Sequence, residues 1–246
     1  MAKNFGVIIC AAGASTRFGG NRKKPFVDVG GRAAFLRSIE FFANRDDVGQ
    51  ILLAISKEDE ELMEIKWGPN LKFFNVKTCI GGEERSETVQ NALALIKDEI
   101  EFVAVHDAVR CCLTQKWIDD CFAAAPKTGA AILAAPVVAT LKKVKDGTIL
   151  KTVDRSDLYE GQTPQVFKKD LLKKAYANLK KLDKEKISDD AQLVEALGHK
   201  VAIVETDFSN IKITYKSDIA IAEAIIRSRH EPKAKGPAGP YIEAQW

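Results

Sequence analysis

The sequence predicts an α/β protein, a mostly parallel sheet with helices on both faces. Strand and helix patterns alternate along most of the chain. The first strand, Val7 to Cys10, is a continuous apolar run, short and β-branched enough to be buried on both sides. The unusual polar clusters fall where strands end, which is where open α/β sheets bind ligands. With 246 residues, 46% hydrophobic and 29% charged, the chain can bury one sizeable core.

The opening strand stops at Ala11, Ala12 and Gly13, where side chains shrink almost to nothing. A small-residue loop follows with Ser15, Thr16, Arg17, Gly19 and Gly20, and then the cations Arg22, Lys23 and Lys24. A loop of this kind brings backbone N–H groups close to a ligand. Cations beyond it suit polyphosphate, Arg as a fork and Lys as a point charge. It has neither the Gly-Lys-Ser/Thr ending of a P-loop nor the Gly-x-Gly-x-x-Gly spacing of a dinucleotide site. An ordinary strand–loop–helix junction is the competing reading, and Arg17 and Lys24 favour the nucleotide.

The remaining elements follow from period and punctuation. A helix is expected over 33–44, with Phe35, Leu36, Ile39, Phe42 and Ala43 on one face. Strand 50–55 leads to Ser56 as an N-cap, with Glu58, Asp59 and Glu60 in a first helical turn. Strand 74–80 ends in Gly81-Gly82 and runs into a helix over 86–97. Strand 102–105 ends in His106-Asp107-Ala108-Val109-Arg110, followed by helix 115–125 and strand 130–137.

At 140–153 the alternation breaks into a hairpin around Lys145-Asp146-Gly147. Its apolar content is thin and an isolated hairpin is marginal, so a second subunit is expected to support it. Helices over 168–181 and 189–197, strand 201–206, the segment 210–214 and a last helix 217–229, capped by Ser217 with Asp218 in its first turn, complete the pattern. One domain is expected over 1–230, with an arm at about 138–155 and a mobile Pro-, Gly- and Lys-rich tail over 231–246.

Composition excludes several classes. A net charge of +3 is too mild to argue for nucleic acid or a membrane surface. The Lys-rich stretch 168–186 carries Leu171, Leu172, Ala175 and Leu179 at helical spacing, which reads as a helix with a solvated face. No apolar run reaches a membrane span and no secretory leader is evident. Five cysteines without metal spacing predict reduced thiols and a cytoplasmic protein.

Taken singly, the other polar clusters are ambiguous. The stretch from Gly81 to Thr88 offers backbone groups at a helix N-terminus plus hydroxyls, suited to a base or ribose edge, yet alone it reads better as a capping segment with Ser86 as cap. Asp107 sits at the rim of the sheet, where a cap is the ordinary role; facing a triphosphate it could hold Mg²⁺. Arg155, Thr163 and Lys212 are candidates for a second, phosphorylated substrate.

In combination the motifs are specific. Ala11-Ala12-Gly13 with Arg17 and Lys24, Gly81-Gly82 with Glu84-Arg85, His106-Asp107-Ala108-x-Arg110, Pro136-x-x-x-Thr140, Thr152-Val153-Asp154-Arg155, Thr163-Pro164-Gln165 and Asn210-Ile211-Lys212-Ile213-Thr214 occur in order. Together they closely resemble the 2-C-methyl-D-erythritol 4-phosphate cytidylyltransferase family of the non-mevalonate isoprenoid pathway, from about Phe5 to Arg229. The resemblance implies a Rossmann-like nucleotidyltransferase fold of the nucleotide-diphospho-sugar transferase type. It also implies transfer of CMP from CTP to methylerythritol phosphate, with Mg²⁺, in a homodimer that exchanges its arms.

Carried over to this sequence, Ala11, Ala12, Gly13 and Ser15 line a CTP site, with Gly82, Glu83 and Thr88 near the cytosine and Ala108 also at the nucleotide. Arg17, Lys24, Arg155 and Lys212 form the catalytic cation set. Asp107, Arg110 and Thr163 belong to the acceptor, as do Thr140 and Arg155 from the partner's arm, and Asp107 is the implied metal ligand. The chain departs from the family where Glu83 stands for Asp, Thr88 for Ser and Cys111 for Pro. Pro25 follows Lys24, whereas in the family Pro often precedes the matching Lys.

Two rival readings remain. A related cytidylyltransferase for another pentitol phosphate, such as ribitol 5-phosphate, would share the CTP loop. A nucleotide-binding regulatory module that has lost catalysis would not need Arg17, Lys24 and Asp107, all of which are present.

Overall fold

A computed structural model describes residues 3–16, 18, 19, 23–183 and 187–229. The expected tail, 231–246, lies outside the described residues. Seven strands form one sheet. They are β1 (Phe5–Cys10), β2 (Val48–Ile55), β3 (Val76–Ile80), β4 (Phe102–Asp107), β5 (Ala130–Pro136), β8 (Tyr159–Lys168) and β9 (Ala202–Glu205). Their order is β3-β2-β1-β4-β8-β5-β9, and all run parallel except β8, which is antiparallel to β4 and β5. The helices are α1 (Ala34–Ala43), α2 (Glu60–Phe73), α3 (Arg85–Leu93), α4 (Gln115–Thr128), α5 (Lys169–Asn178), α6 (Asp190–Glu195) and α7 (Ser217–Arg229).

Burial on both sides explains the apolar run that opens the chain. Along β1, Phe5, Val7 and Ile9 join one core cluster while Ile8, between them, joins the other. In β4, Phe102 and Ala104 face the first cluster, Val103 and Val105 the second. Alternate residues of a strand point to opposite faces, so a strand with no polar alternation needs cover above and below. The apolar stripe of α1, Phe35, Leu36, Ile39 and Phe42, supplies cover for the first face. Gly129 ends α4 at φ 81°, a left-handed position that suits a residue without a side chain.

Several expected boundaries shift. Ser56 does not cap α2 through its side chain; its hydroxyl donates to Asp59 Oδ2 at 2.6 Å, and a 3-10 turn over Lys57–Asp59 precedes the helix. Glu84, not Ser86, is the N-cap of α3, in a capping box with Glu87. Asp218 Oδ2 accepts from the N–H groups of Thr214 and Tyr215 and so ties down the approach to α7. The segment 210–214 is not a strand of the sheet, although Ile213 N–H bonds to Val109 O at 3.0 Å.

The hairpin is β6 (Leu141–Lys145) and β7 (Thr148–Val153), a separate two-stranded sheet. Asp146 at φ 49° and Gly147 at φ 76° make the turn, as the right-handed twist of paired strands favours. Strand β8 has no counterpart in the sequence reading. Gly161, Thr163 and Pro164 carry loop propensities, yet the stretch lies between β4 and β5 inside the sheet. The chain winds outward from β1 through β2 to β3 and then returns to β4 on the other side of β1, making β1/β4 the switch point of the sheet.

Candidate active site

At the carboxyl ends of β1 and β4, with Cys10 paired in register to Asp107, the structure opens a cleft of about 270 Å³. Ala11, Ala12, Gly13, Ser15 and Lys24 line one side; Gly82, Glu83, Arg85 and Thr88 line another; Asp107, Val109 and Lys212 close it. Residues as remote in sequence as Ala11 and Lys212 thus meet where the sheet's winding reverses.

Each wall has a local cause. Ser15 takes φ 59°, and its hydroxyl accepts from Lys24 N–H at 3.0 Å, bringing the loop back on itself. Gly81 and Gly82 are needed for close approach. A Cβ on Gly81 would stand 2.6 Å from Ala12 Cβ, and one on Gly82 would stand 2.3 Å from Glu87 Cβ. Thr88 holds the same turn, its hydroxyl donating to Gly82 O at 3.3 Å and accepting from Gly82 N–H at 3.1 Å. Lys212 is placed by Asn210, which is fully buried and donates to Gln162 Oε1 at 2.9 Å and Thr163 O at 3.1 Å.

The floor is an ion cluster centred on Asp107. Lys212 Nζ lies 2.7 Å from its Oδ2, Arg85 Nε 3.2 Å from its Oδ1 and Arg110 Nε 3.8 Å from Oδ2. Burial alone would push this carboxyl up; Arg85, Lys212 and Arg110 outweigh it and hold it far below the usual carboxylate range. Arg85 is shared, because its Nη1 lies 2.8 Å from Oδ2 of the fully buried Asp190. Tyr176 donates to Asp190 Oδ1 at 2.5 Å, and Gln165 Oε1 accepts from the N–H groups of Asp190 and Ala191, which sets the start of α6.

Other expected residues lie elsewhere. Ala108 is fully buried in the core and does not line the cleft. Arg110 and Thr163, expected at the acceptor, are buried beneath it. Arg110 donates to Asn210 O at 2.7 Å, and Thr163 Oγ1 accepts from Asp107 N–H at 3.1 Å. These bonds hold Asp107 and the Lys212 segment, while Arg110 Nε stays buried without a hydrogen-bond partner. Thr140 and Arg155 flank the arm, are exposed and do not line the cleft of their own chain; Arg155 bonds back to Val138 O. Arg17 lies outside the described residues.

The sequence reading missed Arg85 and Asp190 as members of the cluster. Both looked like helix-start residues, and nothing in their spacing shows that one would bridge two carboxylates.

The implied metal role of Asp107 does not fit this geometry. Both of its oxygens face cations, and Mg²⁺ needs open carboxylate oxygens. Among the described residues no group of three or more His, Cys, Asp or Glu side chains is placed to hold a metal ion.

Burial holds two neighbouring titratable groups in their neutral forms. Burial pushes the Cys10 thiol up to about 12, so it stays protonated. Burial pushes His106 down from 6.5 to about 3, and its Nδ1 sits 2.9 Å from Thr163 Oγ1. Thr163 Oγ1 thus stands between the Asp107 N–H, from which it accepts, and the His106 ring.

A pH dependence of stability follows. Below pH 6.5 the unfolded chain binds a proton at His106 that the folded chain refuses, so stability falls as pH drops towards 3. The slope approaches ~1.4 kcal/mol per pH unit. The contribution of Asp107, whose folded pKa is depressed, is present above its ordinary 3.8 and is lost as pH falls below it. Thermal melts from pH 7 to 4 are expected to show falling Tm, with a shallower slope in His106→Gln; an equal slope in the variant removes His106 as the cause.

Comparison with known proteins agrees with the geometry. The family model described as 2-C-methyl-D-erythritol 4-phosphate cytidylyltransferase matches residues 5–228. Proteins of that name from Endomicrobium trichonymphae and Rhodopirellula baltica are 41% identical over 222 residues and 40% identical over 238. The first alignment covers 90% of this chain and 98% of the relative, the second 92% and 96%. Among solved structures, 4-diphosphocytidyl-2C-methyl-D-erythritol synthase from Anaerococcus prevotii superposes with a TM-score of 0.77 at 28% identity, covering 91% of this chain and 98% of that one. The cytidylyltransferase from Thermus thermophilus superposes at 0.73 with 30% identity, covering 90% and 98%.

Proposed function

The chain belongs to the 2-C-methyl-D-erythritol 4-phosphate cytidylyltransferase family, and we propose from that premise that it transfers CMP from CTP to 2-C-methyl-D-erythritol 4-phosphate. The acceptor's phosphate oxygen attacks the α-phosphorus of CTP; the new P–O bond forms as the bond to the bridging oxygen breaks, and pyrophosphate leaves. The products are 4-diphosphocytidyl-2-C-methyl-D-erythritol and pyrophosphate. One observation carries the reading: Lys24, Lys212 and the cation-wrapped Asp107 converge on a single cleft at the sheet's switch point.

The nucleophile is already an anion near neutral pH, so the reaction needs no strong base. This agrees with a protonated Cys10 and a buried, neutral His106. The work is to bring two anions together, by positioning and by charge. In this reading Ala11, Ala12, Gly13 and Ser15 receive the CTP phosphates; Gly82, Glu83 and Thr88 form the cytosine wall, and Ala108 backs the nucleotide. Lys24 and Arg17 bear on the triphosphate. Lys212 and Asp107 face the acceptor, and Arg110 and Thr163 hold them in place. Mg²⁺, which the family resemblance implies, would supply charge neutralisation to the CTP phosphates, and Asp107 would not be among the residues that hold it.

The arm is assigned to a homodimer. Val144, Ile149 and Leu150 are each more than half exposed on a hairpin that is marginal alone. Across that interface Thr140 and Arg155 would reach the partner's acceptor. All five cysteines are free thiols, which suits the cytoplasm. No described helix is long and apolar enough to cross a membrane.

The test is pyrophosphate release from CTP and Mg²⁺ with methylerythritol 4-phosphate or ribitol 5-phosphate as acceptor. Release with the first alone is expected. Release with the second alone moves the enzyme to another pentitol phosphate. Binding of CTP without release with either leaves a regulatory module.

A further inference from the structure

We propose that Lys23 is a positioning residue for Lys24, its ammonium latching the end of the phosphate loop to the β2–α2 junction. The proposal rests on reading the cleft as a CTP site. Two adjacent lysines close the loop, and the structure gives them opposite tasks. Lys24 lines the cleft. Lys23 Nζ instead donates to Ser56 Oγ at 2.8 Å, Asp59 Oδ2 at 2.9 Å and Glu58 Oε2 at 3.3 Å. An ammonium has three protons, and these three acceptors use them all, leaving none for a phosphate.

The anchor is firm. Asp59 is 6% exposed and is itself fixed by the Ser56 hydroxyl at 2.6 Å. An exposed pair contributes little to stability, but this one closes on a buried carboxylate across 36 positions of sequence. Burial opposes the charge on Lys23, and the hydrogen bonds and charges of Asp59 and Glu58 outweigh it, raising its pKa.

Neighbouring contacts hold the same short stretch from two more sides. Ser15 Oγ accepts from Lys24 N–H at 3.0 Å. Phe26 stacks on Trp67 at 5.1 Å and meets Phe35 edge-on at 5.9 Å. Between these points the latch sets where the backbone leaves for the cleft, and hence where the Lys24 side chain starts. A misplacement of about 1 Å at a reacting centre can cost on the order of 10²-fold in rate.

Lys23 has φ −69° and ψ 144°, an extended conformation that proline also adopts. Proline there would stiffen the same point with no ammonium. That separates positioning from charge.

The test compares Lys23→Met, Asp59→Asn, their combination and Lys23→Pro. Lys23→Met and Asp59→Asn are each expected to lower kcat for pyrophosphate release by about tenfold, with acceptor KM within about twofold. The double variant should be no slower than the worse single, since both break one latch. Lys23→Pro should recover most of the lost kcat. Amide hydrogen exchange over 13–26 should speed up in Lys23→Met and return in Lys23→Pro. Parental kcat in Lys23→Met, losses that multiply in the double variant, or unchanged exchange overturns the proposal. A parent protein that releases no pyrophosphate sinks the CTP reading instead, and the exchange measurement still decides the latch.

Discussion

Lys24→Ala is expected to lower kcat by about 10²- to 10³-fold while acceptor KM stays within a few-fold of the parent. The reason is where the charge changes. Attack on the α-phosphorus moves negative charge onto the departing pyrophosphate, and a preorganised cation beside the triphosphate stabilises the transition state more than the ground state. Lys24 lines the cleft, and its backbone is held by Ser15. Truncation to Ala removes the ammonium and leaves that backbone bond in place. Initial rates of pyrophosphate release at saturating CTP and acceptor measure it. A kcat within threefold of the parent would remove Lys24 from the chemistry.

Lys212→Ala should act on the other substrate. We expect kcat/KM for the acceptor to fall by about 10²-fold, roughly 2.7 kcal/mol, with KM for CTP little changed. Lys212 Nζ is 2.7 Å from Asp107 Oδ2 and more than a third exposed, so it can turn part of its charge towards an incoming phosphate. Its loss leaves Asp107 still paired with Arg85 and Arg110, so the buried carboxylate keeps its compensation and the fold survives. Circular dichroism and CTP binding like the parent's, with a collapsed acceptor kcat/KM, is the expected signature. Loss of CTP binding in equal measure would place Lys212 on the nucleotide.

Much of the fold was legible because burial leaves a local record. The apolar run of β1, the stripe of α1 and the Asp146-Gly147 turn each follow from a rule acting within a few residues. The missed strand β8 shows the limit. Gly161, Thr163 and Pro164 carry loop propensities, and tertiary context overrides them. Gln162 bonds to Thr206 and Asn210, and Thr163 to Asp107 and His106, so the polar groups of a central strand find partners in elements remote in sequence.

The site divides in the same way. The small-residue loop after β1, Gly81-Gly82 and Asp107 stand out at strand ends, because a backbone that must approach a ligand needs small residues locally; Lys212 follows no strand and stands out only through the family resemblance. The sequence by itself determined the α/β class and the place of the small-residue loop after β1. Only the tertiary structure decided which charges meet. It turned Lys23 away from the cleft and Lys24 into it, set Arg85 between Asp107 and Asp190, and spent Thr163 and Arg110 on support. The physical reason is that a side chain's role depends on the partners within a few ångströms, and those come from strands and loops whose separation in sequence carries no record of their meeting.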